Sequence, residues 1–225
     1  MKEFLNKIIY GDCLDVLKTI PDESIDLILT DPPYPIDTNN GTNRFSQDGW
    51  IAGSQDSFDD KWYNNFHKVV YELVRVLKTG QHFYCFVDEK NLFLLKPLLD
   101  KYAIFKKVIV WDKINFGLGY HYRNVVEYCL LYSKGKSTRQ INDQPNLYRG
   151  HKGKETSHPT AKSFGMAKWL IRNSTEPGEI VLDSYCGSGT FPIAAKAEGR
   201  KYIGIDKEKK WCNVTEAKLK QQWIF

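Results

Sequence analysis

The sequence predicts an α/β protein built on a mostly parallel sheet with helices on both faces, and three observations carry that expectation. Short runs of aliphatic and β-branched residues alternate with segments whose apolar residues recur at helical spacing. Runs such as Ile25-Asp26-Leu27-Ile28-Leu29-Thr30 and Ile180-Val181-Leu182-Asp183 are dominated by apolar residues rather than alternating, as expected of strands covered on both sides. Residues 105–111 and 124–133 are two strand-like runs with no helix between them, which reads as one hairpin finishing the sheet.

Taken in order, residues 7–10 form a short strand, and Gly11-Asp12 opens a helix to about Thr19, with Asp12 placed to cap it and Pro21 ending it. Strand 25–30 follows and closes on Asp31-Pro32-Pro33-Tyr34. Residues 35–60 are rich in Asn, Asp, Gly, Ser and Thr, carry five acids against Arg44 alone, and read as a long mobile loop, of the kind that is either a functional lid or disordered. A helix capped by Asp59 or Asp60 is expected through Lys78, because Phe66, Val69, Val70, Leu73, Val76 and Leu77 fall on one face and Thr79-Gly80 is a stop signal. Then come a strand at 82–87, a helix at 89–101 with a kink or early break at Pro97, the hairpin strands, and a polar loop or lobe at 134–157. A helix at 161–173, the strand at 180–183, a helix ending near Glu198, a strand at 202–206 and a terminal helix from Lys207 complete the chain. No internal repeat is visible.

At 225 residues, 42% hydrophobic and 26% charged, the chain fits one large globular domain, or one domain with an inserted lobe. No apolar run approaches the roughly 20 residues of a membrane span, and Met1-Lys2-Glu3-Phe4 lacks a signal-peptide core, so a cytoplasmic location is expected. Cys13, Cys85, Cys129, Cys186 and Cys212 contain no Cys-x-x-Cys pair, which suggests reduced, mostly buried thiols and neither a zinc site nor a disulfide framework. Net charge is only +5, but residues 101–154 hold eleven Lys or Arg against Asp112, Glu127 and Asp143. A polyanion is the natural partner of such a segment, with a solvated basic face as the bland alternative.

Asp31-Pro32-Pro33-Tyr34 sits where a buried strand ends, the edge at which open α/β sheets hold ligands. A residue before proline is driven to an extended backbone, and each proline fixes φ and lacks an N–H. An acid, a rigid backbone with free carbonyls and an aromatic face are thus presented together, an array able to grip a planar amine. Taken alone, the tetrad also fits a strand-ending turn. A second constellation runs from Asp183 to Asp206: strand, glycine turn, helix, and a strand ending in an acid. Glycines 187 and 189 allow close backbone approach, and Asp206 is placed to accept from ribose hydroxyls, the logic of a nucleoside pocket. Phe191-Pro192 stands where a dinucleotide-binding turn has its third glycine, which disfavours a pyrophosphate cofactor.

Together these residues resemble the S-adenosylmethionine-dependent DNA amino-methyltransferases. Asp31-Pro32-Pro33-Tyr34 resembles their catalytic motif, and Val181-Leu182-Asp183-Ser184-Tyr185-Cys186-Gly187-Ser188-Gly189-Thr190 looks like their cofactor loop, usually Asp-Pro-Phe-Cys-Gly-Ser-Gly-Thr. His158-Pro159-Thr160-Ala161-Lys162-Ser163 is similar to the His-Pro-Thr-Gln-Lys-Pro that precedes that loop, and Gly11-Asp12-Cys13 matches a further cofactor-contacting turn. The catalytic motif comes first, which places the chain with the β-class permutation. Tyr185 for Phe, Ser184 for Pro, and Ala161 with Ser163 for Gln and Pro are departures that bear on cofactor affinity more than on activity.

The resemblance implies a single methyltransferase domain over residues 1–225 with a Rossmann-like sheet of seven strands, one antiparallel. It implies S-adenosylmethionine as cofactor, double-stranded DNA as partner, and room for a homodimer. It further implies Asp31, Pro32 and Tyr34 as catalytic residues. Asp206 would hold the ribose and Asp12 the adenine of the cofactor beside Cys13, with Tyr185, Gly187 and Gly189 packed along it. Asp183, Thr160 and Lys162, with His158 in the same motif, would lie near the methionine moiety. Asp at the head of the tetrad favours adenine as the methylated base; cytosine, an RNA substrate, or a non-catalytic DNA-binding relative are the alternatives. Target recognition is expected within 112–157, led by Lys113, Tyr120, His121, Tyr122, Arg123, Arg139 and Arg149, where aromatic and basic groups are interleaved.

Overall fold

The computed structural model of the chain describes residues 1–33, 60–115, 117, 121–151 and 162–221. Of the loop expected over 35–60, residues 35–59 lie outside them, and Asp60 begins α2. In chain order the elements are β1 (Lys7–Tyr10), α1 (Cys13–Thr19), β2 (Ile25–Thr30), α2 (Asp60–Val76), β3 (Leu77–Val87), α3 (Glu89–Leu99), β4 (Ile104–Asp112) and β5 (Val126–Ser133). They continue with β6 (Leu147–Arg149), α4 (Phe164–Ser174), β7 (Ile180–Asp183), α5 (Thr190–Ala197), β8 (Lys201–Asp206) and α6 (Lys209–Lys220).

The strands form one sheet in the order β1-β8-β7-β2-β3-β5-β4-β6. Neighbours from β1 to β3 are parallel, β5 is antiparallel to both β3 and β4, and β6 is parallel to β4. The expected seven strands with one reversed are all present. The eighth, Leu147–Arg149, pairs with Val110–Asp112 at the edge, inside the stretch expected to be a loop or lobe. Three half-exposed residues among polar neighbours carry no periodic signal, so only the tertiary pairing reveals the strand.

Two cores cover the two faces. Leu17 of α1, Phe66, Val69, Val70 and Leu73 of α2, and Leu95 and Leu98 of α3 pack on one side with Ile28, Phe83 and Cys85. Met166 and Leu170 of α4, Phe191 and Ala194 of α5, and Cys212 and Leu219 of α6 pack on the other with Leu27, Leu29 and Tyr84. Each fully buried aliphatic side chain contributes about 1.5–3 kcal/mol of hydrophobic free energy, which is why β2, buried at every position, sits at the centre. Its one acid, Asp26, is 5% exposed and ties β2 to both neighbours, accepting from Lys78 Nζ at 2.6 Å and Ile180 N at 2.9 Å.

Thr79-Gly80 does not end a helix. α2 stops at Val76, Leu77 already pairs with Ile25, and Leu27 pairs next with His82, so the extra residues of β3 bulge out. Gly80, at φ +85°, takes the left-handed turn of that bulge, and its N–H donates to Lys134 O. α4 starts at Phe164, later than expected, because the Ser163 hydroxyl caps it through Met166 N. Pro97 lies within α3 without ending it. Among the described residues no helix is long and apolar enough to cross a membrane.

Candidate active site at the carboxyl edge of the sheet

Because β2, β7 and β8 are parallel neighbours, the acids that end or follow them, Asp31, Asp183 and Asp206, come to one rim. Thr30 ties the first two strand ends together: its Oγ1 donates to Asp183 Oδ1 at 3.3 Å and lies 2.9 Å from Ser184 Oγ. Ser184, a departure from the usual proline, thus has a partner across the strand gap. Asp183 is 1% exposed; burial pushes its carboxyl well above the usual range, the Asp31 and Asp206 charges push the same way, and the Tyr185 N–H at 3.1 Å opposes them. Asp206 accepts from Gly187 N and Glu208 N, each at 2.8 Å, and its carboxyl is likewise raised by burial.

The glycine turn is clamped from outside by α6. Thr215 Oγ1 donates to Gly187 O at 2.9 Å, and Lys218 Nζ donates to Ser188 O at 3.1 Å. Gly187 has φ +47° and open space where a Cβ would point, whereas Gly189 has φ +87° and a Cβ there would fall 2.3 Å from Thr215 Cγ2. One glycine keeps a surface bare and the other lets the turn pack. The loop after β1 joins them through Gly11 N donating to Asp206 O at 3.0 Å. Asp12 caps α1 through Leu14 N at 2.9 Å, as expected, and Cys13 and Tyr185 share a side-chain hydrogen bond. Burial pushes the Cys13 thiol up to about 11, despite that bond.

The Asp31 side of the rim holds a chain of alternating charges. Lys162 Nζ is 2.7 Å from Asp31 Oδ2 and 3.0 Å from Glu127 Oε2, and Lys113 Nζ is 3.2 Å from Glu127 Oε1. Burial disfavours the Lys162 ammonium, but the Asp31 and Glu127 carboxylates outweigh it and raise the lysine above its ordinary value. Burial likewise raises Glu127, and the two ammoniums outweigh it, leaving it below the usual range. Lys162 also lies 5.4 Å from the centroid of Phe86, whose ring stacks on Phe191 at the start of α5. Pro32 is buried beside this group.

The residues present suit S-adenosylmethionine. A bare backbone turn at Gly187 accommodates a nucleoside, Asp206 has lone pairs beyond its two backbone bonds, and a rim of acids suits a cationic sulfonium. A family described as DNA methylase matches residues 25–217, from the start of β2 into α6. The chain belongs to the DNA methylase family. It is 30% identical to the type II methyltransferase M.HinfI of Haemophilus influenzae, over 98% of this chain and 70% of that one. It is 31% identical to the DNA adenine methyltransferase YhdJ of Escherichia coli K12, over 88% of this chain and 77% of that one. The fold superposes on the crystal structure of an M1.HpyAVI-SAM complex with a TM-score of 0.71, at 22% identity, covering 95% of this chain and 98% of the other. The resemblance to DNA amino-methyltransferases, the enzyme class and the dependence on S-adenosylmethionine stand.

Within this DNA methylase the expected site residues are not all gathered. Asp12, Cys13, Asp183, Tyr185, Gly187, Gly189 and Asp206 share the glycine-turn side of the rim. Lys162, expected beside the methionine moiety, pairs with Asp31 at 2.7 Å. Tyr34, Tyr120, His158 and Thr160 lie outside the described residues. His121, Tyr122 and Arg123 are exposed on the carboxyl rim, Tyr122 at 90%, and Arg123 Nε donates to Gly117 O. Arg149 reaches Asp112 at 3.1 Å on the same rim. Lys113, expected to lead target recognition, pairs with Glu127 at 3.2 Å.

Arg139 lies at the opposite edge, paired with Glu176 and Glu179 ahead of β7, each at 3.0 Å. Its position follows from β5: after that strand runs back to the amino edge, residues 134–139 fold beside Gly80 and His82. Glu127 was not singled out from the sequence beyond its charge. An acid within a buried run, at the end that a reversed strand brings to the rim, was the signal available.

Proposed function

We propose that this DNA methylase transfers the methyl group of S-adenosylmethionine to the exocyclic amine of an adenine turned out of duplex DNA. When bound, the cofactor supplies a methyl on a sulfonium, and the carbon–sulfur bond breaks with its electron pair left on sulfur. The difficulty lies with the amine, whose lone pair is delocalised into the ring. Asp31 and the Pro32 carbonyl accept the two amine N–H bonds, favour a pyramidal nitrogen and aim its lone pair; Asp31 or water takes the surplus proton. Fixed orientation of this kind supplies about 7 to 11 kcal/mol in well-aligned systems. Tyr34, the last residue of the same tetrad, provides an aromatic face for the turned-out base, with stacking of about 1 to 3 kcal/mol.

The observation that carries this reading is the direct tie between the two halves of the site, Thr30 Oγ1 on Asp183 Oδ1 at 3.3 Å, which sets Asp31 next to the glycine turn. The likeness to YhdJ, a DNA adenine methyltransferase, and the leading Asp of the tetrad support adenine. His121, Tyr122, Arg123 and Arg149 are the proposed DNA contacts. A cytoplasmic location and a homodimer belong to the same proposal, and sedimentation of the purified chain reads the second.

The test is methylation of duplex DNA with labelled cofactor, digestion to nucleosides and mass identification of the product. N6-methyladenine is expected, and methylcytosine alone overturns the choice of base. Asp31→Ala is expected to slow transfer at least about a hundredfold, the scale of losing one preorganised electrostatic group; full turnover overturns the assignment.

A further inference from the structure

β5 is the one described strand that runs against its neighbours, so its first residues, not its last, meet the carboxyl rim. Glu127 is therefore delivered opposite the end of β2. Its two oxygens take different ammoniums, Oε2 that of Lys162 and Oε1 that of Lys113. Lys162, its side chain 10% exposed, divides its charge between Glu127 and Asp31. A buried ammonium is retained only where carboxylates compensate it, and here two acids do so rather than one.

We propose that Glu127 is a positioning residue for methyl transfer: by sharing the Lys162 ammonium it orients the Asp31 carboxylate at the amine without neutralising it. This rests on the assignment of Asp31 as the amine acceptor. Transfer places positive charge on the amine nitrogen beside Asp31. The set Asp31, Lys162, Glu127 and Lys113 carries no net charge, and Asp183, Cys85 and Cys129, which feel the Asp31 charge, are pushed by burial toward their neutral forms. Removing the Glu127 charge leaves two ammoniums against one carboxylate. Lys162 then pairs with Asp31 alone, and the surplus charge opposes the charge arriving at nitrogen.

The test uses the full chain, a single-turnover rate of labelled methyl transfer to duplex DNA, cofactor affinity by calorimetry, and thermal melting as a check on folding. Glu127→Gln is expected to slow transfer by roughly ten- to a hundredfold with cofactor affinity nearly unchanged. Since Glu127 acts through Lys162, the double variant Glu127→Gln with Lys162→Met is expected to be no slower than Lys162→Met alone. Glu127→Asp, which keeps the charge and shortens the reach, is expected to recover part of the rate. Should Glu127→Gln fail to fold, a kcat loss in Glu127→Asp without a KM change supports the proposal, and a parent-like kcat overturns it. Parent-like transfer by folded Glu127→Gln, or losses from the two single variants that simply multiply, also overturn it. If Asp31→Ala transfers at the parent rate, the underlying assignment fails instead; if Asp31→Ala is inactive while Glu127→Gln is not, only the role of Glu127 falls.

Discussion

Asp206 Oδ2 accepts the Gly187 N–H at 2.8 Å, so the acid that ends β8 also pins the glycine turn that follows β7. Its other oxygen holds Glu208 N at the start of α6. Asp206→Ala removes both of these part-buried hydrogen bonds, at about 0.5–1.5 kcal/mol each. The expected outcome is a lower melting temperature together with at least a tenfold weaker cofactor affinity by calorimetry, about 1.4 kcal/mol. Affinity at the parent level would remove Asp206 from the cofactor pocket.

The two turn glycines predict different variants. Gly189→Ala combines a left-handed backbone with a methyl 2.3 Å from Thr215 Cγ2 and 2.7 Å from its Oγ1, against a helix that cannot withdraw without losing the Thr215 bond to Gly187 O. We expect it to cost about 3 kcal/mol or more, or to prevent folding. Among the described residues Gly187→Ala meets no atom within 4 Å and carries only the backbone strain, about 1–2 kcal/mol. Its methyl enters the space proposed for the cofactor, so it should fold and bind poorly. Denaturant titration and calorimetry separate the two effects.

His82 is 2% exposed, held between Ser174 Oγ and Ser137 Oγ, each at 2.8 Å. Burial, aided by Arg139 and Lys106, pushes its pKa from 6.5 down to about 4. Between those values the folded chain binds fewer protons than the unfolded one, so this group makes stability rise with pH across the window and fall as acid passes through it. The contribution is at most about 3 kcal/mol. Asp183, raised by burial, has the opposite sign, and the difference between parent and His82→Gln isolates the histidine. Denaturant titrations across the window should show a flatter acid-side slope in the variant; parallel slopes contradict it.

Arg139→Ala should leave DNA affinity and its salt dependence unchanged, since the guanidinium faces Glu176 and Glu179 at the edge away from Asp31. Replacing Arg123 and Arg149 together should reduce the slope of log affinity against log salt by about 2. Binding titrations at several salt concentrations check both, and a slope that follows Arg139 would move the DNA to the other edge.

Much of this site was legible in the residues because its parts are local. Asp31-Pro32-Pro33 and the turn from Asp183 to Gly189 are continuous segments whose geometry is set by proline, glycine and the strand each one ends. Side chains whose role depends on strand direction were harder to read. Lys162 and Glu127 meet only because β5 is reversed, and Arg139 leaves the rim for the same reason. Thr79-Gly80 has the composition of a helix stop, yet the pairing of Leu77 with Ile25 turns it into a strand bulge. Local chemistry was insufficient at Leu147–Arg149 too, where pairing with β4 alone makes the strand.

Thr30 and Asp183 touch across 153 positions of sequence, and the strands that carry them lie side by side. During synthesis from the amino terminus, the ribosome releases β2 with its acid long before β7 and β8 exist to flank it. A nascent chain of this protein therefore carries an acceptor group with no donor pocket beside it. The three acids come to one rim only after β7 and β8 have emerged and the long connection from β2 to β7 has closed.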